Sequence, residues 1–98
     1  MEWITFIKKE NVRKAEEILK KDDIASRQSI LIKDARALGI EEDGSFFKID
    51  GNEEGVERCK ELIKEFVEEI SEEKLNKAKE EIKKEEETAA EGMGGIFG

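Results

Sequence analysis

Six carboxylates crowd one short stretch of this chain. Glu41, Glu42, Asp43, Asp50, Glu53 and Glu54 lie within residues 41–54, opposed there by Lys48 alone. Side chains of this type in adjacent turns are what a hard divalent cation needs, because calcium takes six to eight oxygen ligands from carboxylates and backbone carbonyls. Asp50-Gly51-Asn52-Glu53-Glu54-Gly55, with Glu61 beyond it, comes close to the ligand spacing of a calcium-binding loop with glycine at its sixth position. The fit breaks after that glycine. Such a loop needs extended backbone where Val56, Glu57 and Arg58 stand, yet Val56 and Cys59 are already in helical phase with Ile63 and Phe66. The favoured expectation is a solvated pair of turns whose acids sit at a helix N-terminus. The competing one is weak calcium or other divalent-cation binding on an acidic patch rather than in a closed loop.

Other chemistry is excluded by composition. The 98 residues include no His and a single Cys. Without imidazole there is no Ser-His-Asp or Cys-His nucleophile pair, no His-ligated zinc and no histidine general base. One thiol forms neither an internal disulfide nor a CxxC pair. Cys59 falls on the apolar stripe of a helix, the setting of a buried, inert thiol. Carboxylate pairs such as Asp22/Asp23 and Glu41/Asp43 are inevitable among 26 acids. Acid–base work by such a pair needs a cleft that raises one pKa, and a body this small offers little cavity. The expectation is a protein that is not an enzyme and requires no cofactor.

The chain divides into unequal parts. Of 25 Leu, Ile, Val and Phe residues, 21 fall in residues 1–70. Residues 71–98 hold four of them beside 13 charged residues, too few to offset the entropy of ordering. The expected organisation is a folded domain over 1–70 and a charged extension over 71–98, partly helical and then disordered. The net charge is −8. Within the body it is concentrated in segment 41–54, since acids and bases elsewhere in residues 1–70 cancel. A Lys-plus-Glu total of 35 against one Gln matches the ion-network composition of thermophile proteins. No apolar run approaches the length of a membrane span, and the N-terminus lacks a signal-peptide core, so a cytoplasmic protein is expected.

The elements that must position these residues follow from patterning. Trp3-Ile4-Thr5-Phe6-Ile7 predicts a strand over 2–8, apolar on both faces. Asn11 is set to cap a short helix with the stripe Val12, Ala15, Leu19. From Ser26 the spacing of Leu31, Ala35 and Leu38, with Gly39 as a left-handed cap, favours a helix over 26–38. Ile30-Leu31-Ile32 reads equally as a buried strand over 29–33. Ser45–Ile49 predicts a second strand between glycine turns. Asn52 then caps a helix over 53–70, with Val56, Cys59, Ile63, Phe66, Val67 and Ile70 as its stripe. Ser71 marks a fresh helix start, and Leu75, Ala78 and Ile82 form a thin apolar line. The expected fold is α+β and two-layered: three helices on a two- or three-stranded sheet, plus a flexible charged C-terminal extension. So small a sheet leaves an exposed edge, so the chain is expected to be a monomer or an edge-paired homodimer.

Two resemblances add to this reading. The strand, glycine turn, acidic cap and helix of Ile49–Ile63 resemble the last strand and helix of KH RNA-binding modules and of small ferredoxin-like domains. KH function implies a GxxG loop flanked by bases. The string Gly92-Met93-Gly94-Gly95 has no neighbouring base, and the acidic net charge repels phosphate. An RNA-associated module is therefore the third-ranked reading. The ending Lys83-Lys84-Glu85-Glu86-Glu87-Thr88-Ala89-Ala90-Glu91-Gly92-Met93-Gly94-Gly95-Ile96-Phe97-Gly98 resembles the tail of archaeal acidic ribosomal stalk proteins. Its match covers those residues alone, and the body resembles small uncharacterised archaeal proteins. The stalk resemblance implies that Met93, Ile96 and Phe97 dock into a groove on a translation GTPase.

The leading expectation is thus a non-enzymatic protein-interaction module whose C-terminal apolar hook captures a protein partner. A cation-binding protein using the 41–54 acids is the alternative.

Overall fold

A computed structural model describes the backbone of residues 1–97 and the side chains of residues 1–86. The order is β1 (Glu2–Lys8), α1 (Lys9–Lys21), a 3₁₀ turn (Ala25–Arg27), β2 (Ser29–Asp34), a second 3₁₀ turn (Arg36–Leu38), β3 (Gly44–Asp50), α2 (Glu53–Ile63), β4 (Val67–Glu68) and α3 (Glu72–Phe97). The α+β class holds. The sheet has four strands in the order β2-β3-β1-β4, antiparallel throughout, with the split β–α–β connectivity of ferredoxin-like domains.

Alternation along the strands sends side chains to two opposite cores. Ile7, Phe47 and Ile49 join Ala15 and Leu19 of α1 and Val56, Cys59 and Ile63 of α2. Ile4, Phe6 and Phe46 face the other way and join Ala78 and Ile82 of α3, with Leu38 and Ile40. The Phe6 and Phe46 rings meet there at a centroid distance of 5.1 Å, tilted by 56°, a favourable aromatic geometry. The sheet is therefore covered by helices on both faces, and the expected two layers become three.

Four expectations change. The helix expected over 26–38 is strand β2 between two 3₁₀ turns, because its backbone finds a full ladder with β3 from Ser29↔Asp50 to Asp34↔Ser45. Gly39 still takes the left-handed conformation, φ 76°, but closes the second 3₁₀ turn. The helix expected over 53–70 stops at Ile63, where the chain turns and Val67 and Glu68 pair with Ile7 and Phe6. The first helix begins at Lys9 with no side-chain cap, so Asn11 lies inside it. Its first turn is held instead by Lys9 N–H donating to the Asp43 carbonyl at 3.1 Å.

The last change concerns the boundary at residue 70. Ser71 does cap α3, its Oγ accepting from Lys74 N–H at 3.3 Å. The helix then packs: Ala78 and Ile82 are 0% and 1% exposed. Residues 72–86 thus belong to the folded body. Among the described residues, no helix is long and apolar enough to cross a membrane.

Candidate functional site

The six candidate acids do not converge. Glu41, Glu42 and Asp43 precede β3, whereas Asp50 is its last residue and Glu53 and Glu54 follow it. The seven residues of β3 hold the groups apart by about 20 Å at the usual strand rise. A contiguous acidic segment in sequence therefore becomes two clusters at opposite ends of one strand. The acids are also engaged locally. Arg36 Nη2 donates to Asp43 Oδ1 at 2.8 Å, Lys74 Nζ pairs with Glu42, and Lys48 Nζ lies 3.6 Å from Asp50 Oδ2. Glu53 and Glu54 occupy the first turn of α2, whose cap is Asn52 Oδ1 accepting from Gly55 N–H at 2.7 Å. That is a favourable place for carboxylates beside a helix N-terminus. Among the described residues, no three potential ligands gather around one point.

The residues with shifted ionisation serve packing. Asp22 accepts from Arg58 Nη2 at 2.9 Å and Nε at 3.2 Å, and also from Ala25 N–H at 2.9 Å. The Arg58 hydrogen bond, supported by the Ala25 amide, holds its carboxyl below the usual value. This pair ties α2 to the turn after α1. Cys59 is fully buried and unpaired by any disulfide. Burial pushes its thiol upward, away from the thiolate that nucleophilic chemistry requires. Lys48, whose side chain is only 12% exposed, donates to Glu86 at 2.7 Å. That bond raises its pKa and fastens α3 to β3.

A groove of about 810 Å³ runs past the starts of α1 and α3, lined in part by Phe6, Lys8, Glu42, Glu68, Ile70 and Lys74. Lys8 Nζ lies 3.5 Å from Glu68 Oε1, and Lys74 is engaged by Glu42. The groove thus offers matched pairs rather than a field of one sign.

The exposed sheet edge that the sequence predicts is placed by the structure on a strand that the sequence did not single out for it. Strand β2 ends the sheet, and beside it a small groove of about 230 Å³ is lined by Glu16, Leu19, Lys20, Ile30 and Ile32. Its only signal in the sequence was the run Ile30-Leu31-Ile32, read there as a strand alternative.

The hook residues Met93, Ile96 and Phe97 have side chains outside the described residues. What the structure does describe is the mount that precedes them. Along α3, Lys77 Nζ donates to the Gly39 carbonyl at 3.0 Å, Lys33 Nζ meets Glu85 at 3.0 Å and Lys48 meets Glu86 at 2.7 Å. Helix α3 is therefore held from its first turn at Lys74 to Glu86, where it crosses β3 and β2.

No family model matches the chain, and neither a curated protein nor a solved structure gives a significant match.

Proposed function

We propose that this protein is a non-enzymatic protein-interaction module that presents its C-terminal apolar residues to a partner from a rigid α+β body. The observation that carries this reading is the fastening of α3. Its contacts to Gly39, Lys33 and Lys48 run as far as Glu86, the last residue whose side chain is described, so the chain that follows starts from a fixed place. Met93, Ile96 and Phe97 then fall at i, i+3 and i+4. This spacing gives one helical face, the anchor pattern of helix-in-groove recognition. The partner that the stalk-like ending implies is a translation GTPase with an apolar groove.

The test must respect where the body ends. Truncation after Ile70 removes Ala78 and Ile82 from the core and is expected to destabilise the fold, which would mask any effect on binding. Truncation after Glu86 keeps every described contact. The shortened chain is expected to keep the melting temperature of the full chain and to lose binding to a translation GTPase, measured by calorimetry. The full-length Phe97→Ala variant is expected to lose at least about tenfold, the usual effect of removing an aromatic anchor. Equal binding by the truncated and full chains would sink the proposal.

A further inference from the structure

Among the described residues no strand pairs with the outer edge of β2, and the pattern of that edge is self-complementary. The Ala35 amide donates to the Gly44 carbonyl at 2.9 Å, which places the odd residues of β2 in the hydrogen-bonded pairs with β3. The backbone N–H and C=O groups of Ile30, Ile32 and Asp34 consequently point outward from the sheet. Such a row is a template for another strand unless charge or a bulge protects it. Here the middle of the edge is Ile30, Leu31 and Ile32, none of them fully buried.

We infer that this edge pairs with the same edge of a second copy. The two sheets then join into one antiparallel sheet of eight strands about a two-fold axis at Leu31. This inference does not rest on the C-terminal reading. Two-fold antiparallel pairing sets a residue opposite its own copy at the axis, so the edge allows two short registers, centred on Leu31 or on Ile32. Centring on Ile32 sets Ile30 opposite Asp34 and Leu31 opposite Lys33, apolar against charged. Centring on Leu31 sets Ile30 opposite Ile32 twice, Leu31 opposite Leu31 and Lys33 opposite Ser29. The second register is apolar on both faces of the seam and puts no like charges opposite each other.

The neighbouring helix selects the same register. Helix α1 leaves β1 beside Asp43 and Gly44, next to the end of β2, and so runs antiparallel to it. Glu16 lies toward the Asp34 end, where it shares a groove with Asp34 and Arg36. Lys20 lies one turn further along, toward Ile30. Rotation about Leu31 exchanges the positions of Ile30 and Ile32, and so brings Lys20 against the partner's Glu16 and Glu16 against the partner's Lys20. Among the described residues these two side chains bond only to each other, at 2.8 Å, with Lys20 exposed and Glu16 partly so.

The full chain at roughly 100 µM, well above a micromolar Kd, is expected to sediment at twice its monomer mass. Leu31→Cys is expected to give a disulfide-linked dimer under mild oxidation. Its Cα atoms would face each other as a non-hydrogen-bonded pair about 4.5 Å apart, within disulfide reach, whereas the Ile32-centred register would separate them. Lys20→Glu alone and Glu16→Lys alone each turn two attractive contacts repulsive and are expected to weaken the dimer about tenfold. Mixing these two variants is expected to restore it, because the charges are again opposite across the seam. Both substitutions are on the surface of α1 and leave the core intact, so folding is checked by circular dichroism. A monomer at this concentration overturns the proposal and leaves the edge to another chain. A dimer indifferent to the charge reversals, or one that does not cross-link through Leu31→Cys, also overturns it.

Discussion

Ile82→Ala separates a packed third layer from a solvated extension. Ile82 is 1% exposed and sits with Ala78 in the core formed by Ile4, Phe6 and Phe46. The substitution removes three side-chain carbons. At about 0.8 kcal/mol for each buried methylene-sized group, the transfer cost is about 2.4 kcal/mol. The cavity left against the two phenylalanine rings adds to this, and buried Ile→Ala changes cost about 2–5 kcal/mol. A loss of about 3 kcal/mol is expected, from a total on the order of 5–15 kcal/mol for a domain of this size. Urea unfolding followed by circular dichroism is the assay. With an m-value near 1.5 kcal/mol/M, the midpoint should fall by about 2 M while m stays constant. The neighbouring Lys83→Ala, at an exposed position of the same helix, is the control and should stay within about 0.5 kcal/mol. If Ile82→Ala behaved like Lys83→Ala, the packing of α3 on the sheet would be refuted.

Two further outcomes follow from single contacts. The Asp22 carboxyl is held low by Arg58 first and by the Ala25 amide next, so its contribution is complete above the unfolded carboxylate value of about 3.9 and is lost as the pH falls through the lower folded value. The melting-temperature gap between the natural chain and Asp22→Asn should therefore be constant near neutrality and shrink below about pH 4; a gap unchanged down to the acid transition would contradict this. Gly44 pairs with Lys8 in the ladder, and a Cβ there would lie 2.8 Å from Phe6 Cε1 and against the Ile7 carbonyl. Both neighbours belong to the central strand, so Gly44→Ala should cost about 1–3 kcal/mol in urea unfolding, and a neutral result would show that β1 yields.

The candidate site was legible as residues but not as a place. Glu41 through Glu54 form one acidic segment on paper because charge was summed along the chain, while Ser45–Ile49 was read separately as a strand. Putting the two together already separates the acids, since a strand keeps its ends apart. Which strand forms the open edge was hidden for the opposite reason. Whether Ile30-Leu31-Ile32 is strand or helix depends on a ladder with Lys48, Ile49 and Phe47, a non-local partner that three apolar residues cannot announce. The same is true of Phe66, Val67 and Ile70. Their spacing continues the α2 stripe perfectly well, and only the pairing with Phe6 and Ile7 draws Val67 and Glu68 out of the helix.

The third layer, by contrast, was implied by residues read correctly. Trp3-Ile4-Thr5-Phe6-Ile7 is apolar on both faces, and Phe46 and Phe47 point to opposite sides of the neighbouring strand. A sheet with one wet face alternates apolar and polar residues; one that does not must be covered twice. Two helices on one side satisfy Ile7, Phe47 and Ile49 and leave Ile4, Phe6 and Phe46 facing water. The remaining apolar line, Leu75, Ala78 and Ile82, looks thin when weighed as a fraction of residues 71–98. It looks sufficient once the surface awaiting it is already flat and apolar, because the buried area is supplied by both partners. Composition judged the segment in isolation, and the strands supply the reason it folds.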